Sequence, residues 1–278
     1  MSDGMPELDL LHRRRFDRLV MLGFLTVLAL IWTIPPVAAV VRGFAFGGWR
    51  NFTDLMTQPI GGITLLRTYL NSAIIAAIHA GLVVWIASLA GYGFAFFNFR
   101  FKSAAYFLVL VFLAVPATSI LVPLFFIIRE LGLRDNYLAV ALPEAALTLP
   151  FGVLLVRNFA ETIPRGLLEA AAMDGATHRQ IYRQIFLPLC KPALINIGAL
   201  SMMWSMQDFL FPSLFFSSKE MTTAAQAVLT FKEYLGATPE GIGRYNASLV
   251  LLAIPALVVV LFGLRFITSG LTAGSVKE

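Results

Sequence analysis

The sequence is poor in the residues that usually carry chemistry. Its single cysteine, Cys190, excludes a disulfide within the chain and a cysteine-ligated metal cluster. The histidines His12, His79 and His178 fall on different predicted elements, and no HExxH pattern pairs two of them, so the sequence indicates no zinc hydrolase. A Gly-x-x-x-x-Gly-Lys-Ser/Thr phosphate-binding loop is also missing. We therefore expect no catalytic residue, metal site or cofactor in this chain.

Charged side chains are scarce as well. They make up 13% of the residues against 58% hydrophobic residues, and the mean hydropathy of +0.79 lies outside the range of soluble proteins. The apolar residues form runs of roughly 20, each long enough to cross a hydrocarbon core of about 30 Å as a helix. Because these runs do not alternate between polar and apolar residues, barrel strands are excluded. The sequence predicts an all-α polytopic membrane protein with six transmembrane helices, at about residues 18–41, 69–97, 104–128, 137–157, 193–216 and 246–268.

The positive charges indicate how the chain lies in the membrane. Arg13, Arg14 and Arg15 precede the first span, and Arg100 and Lys102 lie in the short link between the second and the third. Since Lys and Arg favour the cytoplasmic side, both termini are predicted to be cytoplasmic. Residues 1–17 then form a cytoplasmic N-terminal segment, and residues 18–278 form one transmembrane domain. The net charge of +5 indicates attraction to anionic lipid headgroups, and no nucleic-acid partner is expected.

A charged insert of about twenty residues separates the fourth and fifth spans. It reads EAAAMDGATHRQIYRQIFLP from Glu169 to Pro188. A first short helix is predicted to end at Gly175, which can adopt a left-handed cap. Thr177 and Gln180 have the spacing of a capping box, so a second short helix is predicted to start there. We expect it to end before Leu187-Pro188 returns the chain to the membrane.

The insert offers two kinds of surface. On its first helix, Glu169 presents a carboxylate beside the small side chains of residues 170–172, which a partner can approach closely. On its second helix, Ile181, Tyr182 and Ile185 are expected to form an exposed apolar knob. A different interpretation is an interfacial helix that lies on the headgroups, with its arginines held by anionic lipid.

The outline of the insert resembles the EAA loop of ABC importer permeases. Glu169-Ala170-Ala171 is followed by Gly175, then by nine residues, and then by Ile185, Leu187 and Pro188. The resemblance implies a type I ABC importer fold with a cytoplasmic coupling loop at about residues 161–191. In that family the loop docks into a cleft of an ATPase subunit and transmits its closure to the membrane helices. The implied ATPase-coupling residues are Glu169, Ala170, Ala171, Gly175, Ile181, Ile185, Leu187 and Pro188.

Three further stretches resemble the maltose-type carbohydrate permeases. They are the run from Val115 to Pro143, the start of the second span at Tyr69-Leu70-Asn71-Ser72, and the tail from Gly270 to Lys277. In the fifth span these permeases carry a Trp-Asn pair before an acidic residue, where this chain has Met206-Gln207. Gln207 is expected to supply the amide in place of Asn, but the identity of the sugar stays open.

The resemblance also implies partners and a location. A second, different permease, two cytoplasmic ABC ATPase subunits and an extracytoplasmic sugar-binding protein are expected, with ATP and Mg²⁺ bound by the ATPases. The chain is then a permease subunit in a bacterial or archaeal cytoplasmic membrane, which imports a di- or oligosaccharide or a modified sugar.

Polar side chains inside the predicted spans are costly in lipid, so they are expected to face other helices, water or substrate. Gln207, Asp208, Phe209 and Asn71 are the predicted substrate pathway, with Phe209 on the same helix as Asp208. His79 is expected to form a helix-to-helix hydrogen bond. Glu144 is expected at the outer boundary of the fourth span.

The best rival interpretation is an ion-coupled secondary transporter, in which Asp208 would carry a proton. Such a transporter has no reason to possess an EAA loop. The loop is therefore the feature that separates the two.

Overall fold

Helices form nearly all of the regular structure. The computed structural model describes residues 6–236 and 238–273, with side chains from 17 to 236 and from 238 to 262. The helices are α1 (Pro6–Gly43), α2 (Arg50–Thr57), α3 (Leu65–Phe96), α4 (Lys102–Val111), α5 (Leu121–Glu130), α6 (Tyr137–Ala160), α7 (Arg165–Met173), α8 (His178–Gln207), α9 (Leu210–Phe215), α10 (Ala224–Leu235) and α11 (Pro239–Ala273). The C-terminal resemblance at residues 270–277 lies largely outside the described part.

The structure has five or six membrane spans where six are predicted, and the third, predicted as one helix at residues 104–128, is broken. Within the described residues, five helices are long and apolar enough to cross a membrane, and a sixth span results if one bent pair is counted as one. That pair, Lys102–Ala114 and Ala117–Glu130, is bent by 96°. The break falls at Pro116, where the backbone is extended. Pro123 lies in the first turn of α5, where its missing N–H removes no helical hydrogen bond.

The fifth span differs from the prediction of residues 193–216. Helix α8 runs without interruption from His178 to Gln207, so Leu187-Pro188 continues a helix that has already begun. A π-helical stretch from Ile181 to Phe186 precedes the proline, which falls at the start of the next α-helical stretch and costs no hydrogen bond there. The second helix of the insert is therefore the first part of a membrane span.

Small residues bring the central helices together. Gly91 of α3 faces α6 so closely that a Cβ built on it would lie 2.6 Å from Cγ1 of Val156. Gly152 of α6 faces Ala87 of α3 in the same way, at 3.1 Å from its Cβ. Close backbone approach over small residues is typical of helix pairs in membranes. Helices α3, α6 and α8 form the core. The most apolar 18-residue window of α1, by contrast, contains no buried residue and suits a lipid environment.

At the N-terminal end of α3, a buried amide holds the segment between α9 and α10. Asn71 donates to the carbonyl oxygens of Glu220 (2.8 Å) and Thr222 (2.9 Å) and accepts from the hydroxyl of Tyr137 (2.8 Å). Asp135 adds a second attachment, because its Oδ1 accepts from two backbone N–H groups at residues 217 and 218. This end of the bundle is therefore tied together by side chains that bind backbone.

Candidate functional site

The bend of the charged insert is closed by a left-handed glycine. Gly175 has φ +82°, and its N–H donates to the carbonyl of Ala172 (3.1 Å), while the N–H of Ala176 donates to that of Ala171 (2.9 Å). This pair of bonds is the Schellman motif that ends a helix and satisfies its last carbonyl groups. The predicted left-handed cap of the first helix is confirmed.

The start of α8 is fixed by the predicted capping box. The side-chain oxygen Oε1 of Gln180 accepts from the backbone N–H of Thr177 (2.8 Å), and Oγ1 of Thr177 accepts from the N–H of Gln180 (3.4 Å). Only Gly175 and Ala176 separate this box from the end of helix α7, which Asp174 caps. The turn between α7 and α8 thus has both of its ends fixed by hydrogen bonds.

Ile181 and Tyr182, two of the three residues predicted as an apolar knob, face inward instead. Ile181 is buried in the core, and the hydroxyl of Tyr182 lies 2.7 Å from Oγ of Ser88 on α3. The ring of Tyr182 also packs against Phe186 and Tyr92. The knob prediction was wrong because α8 is one helix, so its apolar stripe continues the face that the membrane span turns toward α3.

Helix α7 presents an exposed surface of the insert. Glu169 and Ala170 are exposed there, Met173 is 89% exposed one turn after them, and Gly175 is exposed in the turn that follows. Met173 lies three residues after Ala170 and four after Glu169, so the three share one face of the helix. The sequence analysis did not identify Met173, although its helical spacing from Glu169 was a signal that could have done so.

A cleft of about 300 Å³ separates α7 from the C-terminal end of α3. Glu169, Arg165 and His178 bring charged or titratable groups to its wall, and Phe97 packs edge-on against the imidazole of His178 at 5.1 Å between ring centroids. The carboxylate of Glu169 is therefore accessible both to this cleft and to the outer surface of the insert.

A second candidate site lies deep between the helices. His79, near the middle of α3, places Nδ1 3.2 Å from Oε2 of Glu144 and Nε2 3.1 Å from Oγ1 of Thr148, both on α6. The predicted helix-to-helix role of His79 agrees with this geometry. Glu144 is only 6% exposed, so it is buried between the helices, and its level at the outer boundary of the span stays a prediction. Its carboxylate contacts His79 between α3 and α6.

The residues at the break between helices α8 and α9 complete this site. Helix α8 ends at Gln207, and the carboxylate of Asp208 accepts from the backbone N–H groups of Leu210 (2.8 Å) and Phe211 (3.3 Å) at the start of α9. A cleft of about 280 Å³ opens beside the break. We call it the polar cleft; its walls are His79, Glu144, Leu147, Thr148, Trp204, Ser205, Gln207, Asp208 and Phe211.

The structure brings together only part of the predicted pathway. Gln207 and Asp208 line the polar cleft, whereas Phe209 is not among its wall residues and is 41% exposed. Phe209 follows the break, so it does not share a helix with Asp208 as predicted. Asn71 is completely buried in the network that joins α3 to the segment between α9 and α10, and it does not line the cleft either.

Comparison with known proteins identifies the family. Residues 84–269 match the family described as the inner membrane component of binding-protein-dependent transport systems. The chain belongs to this family. The match contains the insert, α8 and the polar cleft apart from His79. The predicted multi-pass membrane location is thereby confirmed.

Curated relatives agree with the family match. The chain is 34% identical over 231 residues to the probable ABC transporter permease protein YurM of Bacillus subtilis, covering 82% of this chain and 73% of that one. It is 31% identical to the arabinooligosaccharides transport system permease protein AraQ of the same species, over 82% of this chain and 78% of that protein. Identity is 32% with the inner membrane ABC transporter permease protein YcjP of Escherichia coli, over 82% and 80%.

Solved structures share the fold. A chain of a bacterial ABC transporter involved in the import of the acidic polysaccharide alginate superposes with a TM-score of 0.76, at 19% identity, covering 95% of this chain and 99% of that one. A chain of the MetNI methionine ABC transporter gives a TM-score of 0.55 at 22% identity, over 74% and 95%. The predicted importer-permease fold is confirmed.

Family membership decides between the classes considered for this chain. The relatives are permease components of ABC transporters, and permease components are not themselves the enzymes of such systems. The prediction of a non-catalytic transport subunit is confirmed, and the ion-coupled secondary transporter is not supported.

Proposed function

We propose that this chain is a transmembrane permease subunit of an ATP-driven sugar importer. Its partners are a second homologous permease, two cytoplasmic ABC ATPases that bind ATP and Mg²⁺, and an extracytoplasmic binding protein that delivers the sugar. This chain itself needs no cofactor. In this arrangement both termini and helix α7 lie on the cytoplasmic side.

One observation carries the proposal: a single helix joins the insert to the polar cleft. Helix α8 begins at the capped turn after α7 and ends at Gln207, beside Asp208 in the cleft wall. Thirty residues at 1.5 Å per residue make a rod of about 45 Å. A displacement of α7 by a partner therefore reaches the cleft through one continuous element.

The exposed face of α7 is the proposed contact with the ATPase. Glu169 offers a carboxylate for charge-assisted hydrogen bonds, Ala170 lets the partner approach closely, and Met173 supplies an adaptable apolar side chain. Ala171 and Gly175 act by holding the turn, since both contribute to the Schellman bonds.

The later coupling residues act on the other side of the turn. Ile181 anchors α8 in the core, and Ile185 and Leu187 are partly buried on the same helix. Pro188 allows the π-helical stretch to pass into regular α-helix. We propose that closure of the ATPases moves α7 and α8 together and thereby switches the polar cleft between inward and outward access.

The sugar assignment rests on the named relatives and on the cleft. AraQ, at 31% identity, is named for arabinooligosaccharides, and a permease protein at 30% identity, SmoH of Agrobacterium fabrum, is named for sulfoquinovosyl glycerol. In the cleft, Gln207 and Asp208 supply an amide and a carboxylate that can bond to hydroxyl groups. These two are the proposed pathway residues; Asn71 and Phe209 are not assigned to the cleft.

Reconstitution of the complete complex in vesicles tests this function. The complex that co-purifies with this chain should take up a sugar only when ATP is present on the α7 side and the binding protein on the other side. Uptake should persist when an uncoupler abolishes the proton gradient. Sugar uptake that follows an ion gradient without any associated ATPase would refute the proposal.

A further inference from the structure

The polar cleft contains a carboxylate that the proposed function does not yet use. Glu144 is 6% exposed, and no hydrogen-bond partner for its Oε1 exists among the described residues. Its Oε2 lies 3.2 Å from Nδ1 of His79 without the geometry of a hydrogen bond, and Nε2 of His79 lies 3.1 Å from Oγ1 of Thr148. A buried carboxyl group without a hydrogen-bond partner, beside a second acid, favours a ligand with hydroxyl groups, which can both donate and accept.

A second acid completes an acceptor-rich wall. Asp208 faces the same cleft from the break between α8 and α9, and its carboxylate is fixed by two backbone N–H groups. The hydroxyl of Ser205 is buried and, within the described part of the chain, also lacks a hydrogen-bond partner. Glu144 from α6, and Ser205 and Asp208 from the end of α8, thus face the same cleft.

The cleft also has an aromatic surface. The indole of Trp204 lines it and remains 45% exposed, while its ring packs edge-on against Phe151 at 5.6 Å between centroids. Carboxylates that accept from hydroxyls beside an aromatic ring form a site suited to a sugar ring, which has polar edges and an apolar face.

The charges of the cleft decide which sugars fit. Its ionisable wall residues are His79, Glu144 and Asp208, and the described residues contribute neither Lys nor Arg to the wall. A ligand carboxylate would meet two acids in a desolvated space with no strong cation to receive it. Neither the fold nor the family sets this preference by itself. A chain of the same fold belongs to an importer of an acidic polysaccharide, and SmoH is named for sulfoquinovosyl glycerol, which carries a sulfonate.

We infer that Glu144, with Asp208 and Trp204, forms a sugar-binding subsite in this chain that accepts neutral polyhydroxylated ligands and rejects acidic ones. The inference rests on the proposed function and adds the charge class of its cargo.

Direct binding to the purified complex tests the subsite without the binding protein. The probes are maltose, maltitol and maltobionate, and the corresponding alditol and aldonate of arabinotriose. Maltitol and maltobionate share an open chain and differ in charge, so their comparison isolates the carboxylate. Quenching of Trp204 fluorescence is the signal, and Trp204→Phe should abolish it. Neutral probes should bind at least about 10-fold more tightly than the acids, as expected for a site matched to hydroxyl groups.

Substitutions then separate the acids from the scaffold. Glu144→Gln should weaken binding of the neutral probes by about 10-fold and reduce the discrimination against maltobionate by a similar factor. Asp208→Asn is the second variant, used in case the first fails to assemble. Glu130→Gln, which removes an exposed acid paired with Arg129, is the matched control and should change neither. ATP hydrolysis and subunit co-purification report that each complex is intact.

The outcomes distinguish this inference from the proposed function. Equal binding of maltitol and maltobionate, or unchanged binding in both acid variants, overturns the subsite while ATP-driven uptake stands. Absence of quenching by every neutral probe at millimolar concentration also overturns it. Loss of ATP dependence in the reconstituted wild-type complex instead refutes the proposed function.

Discussion

A substitution at Gly175 should impair transport without preventing assembly of the complex. The φ of +82° at Gly175 is strained for an L-residue, yet a Cβ built there meets no atom within 4 Å. A substitution therefore changes the backbone preference of the turn without creating a clash. Gly175→Val, with a β-branched side chain, should uncouple transport in a complex that still assembles.

The expected size follows from the left-handed conformation alone. Holding an L-residue there costs about 1–2 kcal/mol, which corresponds to a shift of about 5- to 30-fold toward an open turn. Asn tolerates this conformation better than other residues, so Gly175→Asn should retain most of the coupling. Gly166→Val is the matched control, because Gly166 lies in α7 with equally open surroundings and without a positive φ.

Hydrogen exchange and transport together measure the effect. The N–H groups of Gly175 and Ala176 close the Schellman motif, so a peptide that covers them should exchange about 5- to 30-fold faster in Gly175→Val. Sugar uptake per ATP hydrolysed should fall in that variant and remain normal in Gly166→Val. The reasoning is refuted if Gly175→Val exchanges and transports like Gly175→Asn.

Three further changes probe the packing that supports the sites. Gly91→Ala should lower the stability of the detergent-solubilised complex by about 1–3 kcal/mol, because its Cβ would overlap Val156. Gly93→Ala is the control and should be neutral or stabilising, because its Cβ would meet no atom within 4 Å. Thermal unfolding of the two variants measures the difference. Asn71→Leu leaves two carbonyls and the Tyr137 hydroxyl without their partner and should cost about 1–3 kcal/mol or more in the same assay; an unchanged midpoint contradicts the network. In a double-mutant cycle, Ser88→Ala and Tyr182→Phe should show a coupling of about 0.5–2 kcal/mol in stability, and additive effects would show that the 2.7 Å contact contributes little.

The elements that were predictable from the sequence are those with local causes. The cap at Gly175 and the capping box at Thr177 and Gln180 depend on residues within a few positions of one another, and both are present as predicted. The membrane spans were predictable for a similar reason, since hydropathy over about 20 residues decides whether a helix can lie in lipid.

The errors arose where packing between distant residues decides the outcome. Leu187-Pro188 resembles the start of a new span, but the π-helical stretch before it lets α8 continue. The contact of Tyr182 with Ser88 and the burial of Ile181 show which way that stretch faces. In the same way, the sequence position of Glu144 near Pro143 suggested a boundary. Glu144 is instead buried against α3, where it contacts His79, which is 65 residues earlier in the chain.

The two ends of α8 explain why one helix can serve both sites. Its first turn is held by a capping box and by Ile181 in the core, so it cannot move independently of the turn after α7. The helix ends at Gln207 because Asp208 has an extended backbone. The carboxylate of Asp208 accepts a hydrogen bond from the N–H of Leu210 at the start of the next helix. Because α8 is held at its start and ends at the break, a shift of the whole helix changes the arrangement of side chains at the break. Asp208 and Glu144 face the polar cleft there.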